Sequence, residues 1–101
     1  MIDPKLHSLI KVVETGSFTR AAEQLSLTQP AVSQHIRSLE SELNVHIFER
    51  KNNELHVTHE GETVIKYARR MLSLYNNLCK DLTSEKRQLT SLTVGITHTA
   101  E

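Results

Sequence analysis

Apolar residues fall along the first half of the chain in three short stripes, each with the spacing of a helix that buries one face. Leu6, Leu9, Ile10 and Val13 make the first. Asp3-Pro4 starts that helix, a capping carboxylate followed by proline at a position where the missing N–H costs nothing, and Gly16 is a natural C-terminal stop. Phe18, Ala21, Ala22 and Leu25 make the second, with Ser17 as its cap. Val32, Ile36, Leu39 and Leu43 make the third, all expected to face inward. The Thr28 hydroxyl can accept an unpaired N–H at its start, Pro30 fits the first turn, and Asn44 suits a left-handed end.

The pattern then changes. Val45 to Glu49 and Glu54 to Val57 are short β-prone segments around Arg50-Lys51-Asn52-Asn53, which predicts a small hairpin, or wing. Thr58 opens a long helix to about Leu89, with Glu60 and Glu62 near its positive end. Along it Gly61, Val64, Ala68, Met71, Tyr75, Leu78 and Leu82 alternate gaps of three and four, and Ile65, Leu72 and Cys79 widen the stripe. So long a seam exceeds what one small domain can cover, which predicts a partner helix and a dimer. Cys79 within the stripe reads as a buried structural thiol. Leu92 to Ile96 alternates apolar and polar, the period of a half-buried strand with no partner nearby. The expected division is 1–57, 58–89 and 90–101, the last being the start of a second domain.

Helices two and three, joined by a tight polar turn, have the pattern of a helix-turn-helix, whose second helix enters the DNA major groove. Ala21 and Ala22 are small enough for a close crossing. With Val32, Ile36, Leu39 and Leu43 inward, helix geometry turns Pro30, Gln34, Arg37, Ser38 and Ser41 outward, with Gln29 and Ser33 flanking them near the N-terminus. Gln can pair with adenine at two points, Ser can bond several base edges, and Pro30 and Ala31 can touch a thymine methyl. Gln29, Ser33 and Gln34 are thus the base-contact candidates, and Arg37 the phosphate contact. His35 could reach phosphate, stack on a neighbour, or be an uncommitted surface histidine. Thr19 and Arg20, at a helix N-terminus, are phosphate candidates. For Arg50 and Lys51, groove insertion and simple solvation both stand open.

Composition constrains the rest. The 12 basic and 12 acidic residues cancel, whereas a DNA-binding domain is ordinarily basic. Affinity for DNA would have to come from local placement of charge. Neutrality also sustains an alternative reading, a winged-helix module that binds protein partners and has little DNA affinity. One cysteine excludes an intrachain disulfide, and no apolar run resembles a signal peptide or a membrane span. A bacterial cytosolic setting is expected. His56, His59 and Glu60 lack a completing ligand set, so no metal is expected, and no cofactor. No nucleophile–base set, P-loop or dinucleotide fingerprint is present, so an enzyme is not expected.

The ordered set Phe18-Thr-x-Ala-Ala-x-x-Leu25, Thr28-Gln-Pro-Ala-Val-Ser33, Ile36, Leu39-Glu40, Phe48-x-Arg50 and Thr58-x-x-Gly61 resembles the N-terminal part of LysR-type transcriptional regulators. The resemblance covers nearly the whole chain. It implies a mainly α winged helix-turn-helix, with a three-helix core and small β wing, followed by a long dimerisation helix. It also implies antiparallel dimers, associating further into tetramers on an interrupted palindromic promoter site. A small-molecule effector would act on a second domain, whose first strand Leu92-Thr93-Val94-Gly95 resembles. There Thr97 and Thr99 would lie at the rim of the effector pocket, with hydroxyls suited to a carboxylate. Three positions depart from the family pattern: Asn44 replaces a usual Gly, Asn53 a frequent Arg, and Glu60 a usual Ala.

Overall fold

The computed structural model describes residues 3–93, with side chains through Lys86. In order they form α1 (Pro4–Thr15), α2 (Phe18–Leu25), α3 (Gln29–Leu43), β1 (Phe48–Lys51), β2 (Glu54–Val57) and α4 (His59–Thr93). The expected caps are all made. Asp3 accepts from the Lys5 amide at 2.9 Å, Ser17 from Arg20 at 3.1 Å, and Thr28 from Ala31 at 3.2 Å. Gly16 and Asn44 end α1 and α3 with φ of 70° and 56°. Ser26 ends α2 in the same left-handed region, φ 59°, a role its sequence does not announce.

α1, α2 and α3 pack on one another around Leu9, Val12, Ala21 and Val32, none of which is exposed. Burying Leu9, Val12 and Val32 stabilises the fold by about 1.5–3 kcal/mol each. Ala21 and Ala22 sit where α2 meets α1 and α3, as their size predicts. Leu43 departs from its expected inward position and is 49% exposed. It keeps the spacing of its stripe but lies in the last turn, where the chain reverses at Asn44 and no described residue buries it. Ser38, expected outward, is half-buried.

The hairpin is antiparallel, pairing Phe48 with Val57 and Lys51 with Glu54. Its strands start at Phe48, not Val45, so Arg50 and Lys51 lie within β1 and only Asn52-Asn53 form the tip. Both have positive φ, 53° and 63°, as a two-residue hairpin loop with the twist of its strands requires. The Phe18 and Phe48 rings meet edge to face at 5.8 Å, fastening the wing to α2.

The first turns of α4 belong to the same core. Ile65 is 8% exposed and Ala68 fully buried, with Val64 and Leu72 packed beside them. Ile65 and Ala68 were expected in a seam between chains; here they are spent within one chain, because α4 packs against α1. Gly61 lies so close to Ile47 that an added Cβ would enter the space of its carbonyl. Cys79 is exposed rather than buried. The Tyr75 phenol one turn before it is pushed above its ordinary pKa, chiefly by a hydrogen bond with that thiol. α4 continues through Thr93, so Leu92 and Thr93 are helical rather than the opening of a strand. The remainder of that expected strand, and Thr97 and Thr99, lie outside the described residues. No described helix is long and apolar enough to cross a membrane.

Candidate nucleic-acid interface

The N-terminal half of α3 presents Gln29, Pro30, Gln34 and Arg37 as exposed side chains, with Ala31 and Ser33 half-buried between them. These side chains are partly pre-ordered. Gln29 Nε2 donates to Ser33 Oγ at 2.8 Å, and Arg37 Nη2 donates to Gln34 Oε1 at 3.3 Å. Each pair joins adjacent turns of the helix, so the surface offers donors and acceptors at set spacings. From Gln24 to Leu39 there is no acidic residue. The N-terminal half of α3 is thus free of acidic residues although the chain as a whole is neutral, while Glu40 and Glu49 line the groove beside it.

The wing stands beside that face. A groove of about 290 Å³ lies between them, lined by Gln29, Ser33, Arg37, Phe48 and Arg50. A second concavity, between the start of α2 and the wing, is lined by Thr19, Gln29, Arg50 and Asn53. Strand alternation separates the two cations of β1. Arg50 shares a face with Phe48 and Leu55 and turns into the groove. Lys51 turns to the other face, where its ammonium lies 3.8 Å from Glu49. The structure therefore gathers Gln29, Ser33, Arg37 and Arg50 on one concave surface, places Thr19 on the adjoining one, and leaves Lys51 off both. Arg20 is exposed, and its amide is held by the Ser17 cap.

Two supports of this surface are not evident from side-chain pattern alone. Glu40 directs a carboxylate oxygen at the Ile47 amide, 2.8 Å, and the Phe48 amide, 3.4 Å. An acid near the end of α3, a short link before a strand, is the only signal the sequence carries for it. This bond ties the wing entry to the same helix that carries Gln29 and Arg37. Thr58 closes the other end. Its hydroxyl donates to the His46 carbonyl and accepts from the Gly61 amide at 2.9 Å, while its own amide donates to Ile47 O at 2.9 Å.

His35 takes neither a phosphate-facing nor an uncommitted position. Its Nδ1 lies 2.6 Å from the Oγ of Ser8, which is fully buried in α1. The histidine thus joins α3 to α1, because its place on the helix faces α1 rather than the groove. His56 is exposed, 3.4 Å from Glu54. Among the described residues no three His, Cys, Asp or Glu side chains converge as metal ligands would.

Three packed helices, the third with a polar exposed N-terminal face, and a two-stranded hairpin beside it define a winged helix-turn-helix. Residues 4–62 match the family described as bacterial regulatory helix-turn-helix protein, lysR family, and the chain belongs to that family. A probable RuBisCO transcriptional regulator of Guillardia theta is 40% identical over 96 residues, covering 94% of this chain and 31% of that protein. An uncharacterised HTH-type transcriptional regulator of Azotobacter vinelandii is 40% identical over 98 residues, covering 90% of this chain and 68% of that protein. The crystal structure of a CbnR DNA-binding domain–DNA complex superposes with a TM-score of 0.77 at 28% identity, over 85% of this chain and 99% of that one. The chain thus spans about a third of the length of the Guillardia relative.

Proposed function

We propose that this chain is the DNA-binding and dimerisation part of a LysR-type transcriptional regulator in the bacterial cytosol. Its α3 would enter the major groove of double-stranded promoter DNA. Gln29, Ser33 and Gln34 would read base edges, and Arg37, Arg50, Thr19 and Arg20 would meet phosphates. The observation that carries this is the single concave surface shared by Gln29, Ser33, Arg37 and Arg50, on a fold whose relatives are named as transcriptional regulators. Two such surfaces, joined through α4, suit an interrupted palindrome, as dimers or tetramers. The division at 57 and 89, and a small-molecule effector near Thr97 and Thr99, belong to the same reading. No catalytic role is part of it. Nothing favours the protein-binding alternative, because the acids behind the charge balance that supported it leave the N-terminal half of α3 clear.

The test begins with selection of bound sites from random duplexes, followed by mobility shifts across a salt series. Gln29→Ala should cost about 1–3 kcal/mol at the selected site and relax preference at one base pair. Arg37→Ala should weaken all sequences alike and flatten the salt slope by about one. Failure to select any sequence, or binding insensitive to salt, would overturn the reading.

A further inference from the structure

Glu40 stands where an acid is least expected. It lines the same groove as Gln29, Ser33, Arg37 and Arg50. A carboxylate there repels phosphate and weakens the local field that would draw a nucleic acid in. Neither cation of the groove neutralises it. Arg37, one turn before it on α3, donates to Gln34. Among the described residues, neither Arg37 nor Arg50 takes part in an ion pair. The other acid of the groove, Glu49, lies 3.8 Å from Lys51.

The Glu40 side chain is half-buried and engaged by backbone, its Oε2 accepting from both the Ile47 and the Phe48 amides. Ile47 is fully buried just ahead of β1, so without Glu40 its amide would lose water and gain no partner. The carbonyl of the same residue is taken from the other side, by the Thr58 amide at 2.9 Å and the Thr58 hydroxyl at 3.3 Å. Ile47 is thus gripped by α3 through its N–H and by the entry to α4 through its C=O. Phe48, next in the chain, rests against the Phe18 ring. Arg50 follows two residues later, on the same face of the strand as Phe48. A shift of the Ile47 and Phe48 peptides therefore carries Arg50 with it, away from its place beside Gln29 and Arg37.

We infer that Glu40 is a positioning residue for DNA recognition. Its carboxylate fixes the span between the base-reading side chains of α3 and the wing cation Arg50, so that both engage one duplex together. Glu40 lies about three turns beyond Gln29 on a single helix, which registers the wing directly to α3 and not through the chain between them. With the wing set beforehand, Arg50 meets its phosphate without the cost of ordering that segment on binding. The inference rests on the reading of this surface as a DNA interface. It goes beyond that reading by giving an acid that touches no phosphate a role in affinity. The gain from positioning must exceed the repulsion that the same carboxylate exerts, so the sign of the effect of removing it decides the matter.

The experiment is a mobility-shift series across salt on the whole 101-residue chain, with a selected duplex and a random-sequence duplex as probes. The proteins are the wild type, E40A, E40D, E40Q and R50A, and each Glu40 variant combined with R50A, at a temperature where circular dichroism shows them folded. If charge alone mattered, E40A and E40Q would bind more tightly than the wild type and E40D equally well. Positioning instead predicts that E40A binds both probes about fivefold more weakly, with a salt slope flattened by nearly one, as for R50A. E40D keeps the charge but shortens the reach to the two amides, so it should fall between the wild type and E40A, and it carries the test where E40A does not fold. E40Q keeps an acceptor for the amides without the charge and should bind at least as tightly as the wild type. In the R50A background neither E40A nor E40D should cost anything further. Three results would each overturn the inference: E40D or a folded E40A binding as well as the wild type, E40Q as weak as E40A, or losses of equal size with and without Arg50. A wild type that binds neither probe, or R50A that binds as the wild type does, would instead remove the reading of Arg50 as a DNA contact, and this inference with it.

Discussion

Replacing Gly61 with Ala adds one methyl group to the first turn of α4, and the sign of its effect separates two opposing forces. In a helix free of neighbours the change should stabilise, by roughly 0.5–1 kcal/mol, because Ala loses less backbone freedom than Gly. Here the new Cβ would meet the Ile47 carbonyl, which is backbone and cannot swing aside. That carbonyl also accepts the Thr58 amide at 2.9 Å, with the Thr58 hydroxyl 3.3 Å away. Overpacking of this kind costs about 1–3 kcal/mol, and each weakened hydrogen bond adds about 1 kcal/mol. Clash should therefore outweigh propensity, with a net loss of about 1–3 kcal/mol. Urea unfolding followed by circular dichroism measures this, at one fixed chain concentration because association contributes to apparent stability. The midpoint should fall with an unchanged slope. A variant as stable as the parent, or more so, would refute the close packing of α4 on the wing entry.

Other substitutions test the remaining contacts. Ser8→Ala should remove the α1–α3 bond to His35 and lower stability by about 1 kcal/mol, while the salt slope of DNA binding stays as it was; a flatter slope for His35→Gln would return that histidine to the phosphate contacts. Arg50→Ala should flatten the salt slope by about one, and Lys51→Ala should change it far less, as mobility shifts would report; equal effects would mean that the faces of the wing are misassigned. Glu40→Ala should destabilise by about 1.5–3 kcal/mol, the worth of a hydrogen bond to a charged group, and loosen the wing amides in hydrogen exchange; protection unchanged at Phe48 would show that the wing is held by other means. Leu78→Glu should yield monomers in sedimentation, because it places a charge in the exposed stripe; an intact dimer would exclude that stripe as the seam.

Much of this architecture is legible in the sequence because it follows from local rules. Asp3-Pro4, Ser17, Thr28, Gly16 and Asn44 act within a few residues of themselves, and all five do what their chemistry predicts. Periodicity alone gives the exposed Pro30, Gln34, Arg37 and Ser41 of α3, though not the half-buried Ser38. What periodicity cannot supply is the identity of the neighbour. The α4 stripe reads as one surface because gaps of three and four fit both faces of a broad helix, so periodicity gives Ile65 and Ala68 to a partner and passes over Tyr67 and Leu74; the structure buries the first pair within the chain and leaves the second exposed. Leu43 keeps its period but outruns its cover. His35 and Ser8 are 27 positions apart, and only packing brings them together. Arg50 and Lys51 differ through strand parity, which depends on where the strand begins, and that lay three residues later than expected.

The two faces of α4 would tie the folding of its distal half to the concentration of the chain. Beyond Leu72 every described side chain except Tyr75 is exposed, through Lys86. A helix of that length without tertiary support is marginal in water. With a second copy in place the segment gains a buried seam, so folding of the distal helix and encounter of two chains become one equilibrium. Below the concentration at which pairs form, a lone chain would keep its winged core but offer proteases an unprotected stretch downstream. Helical order in the distal half of α4 would then be confined to chains that are paired.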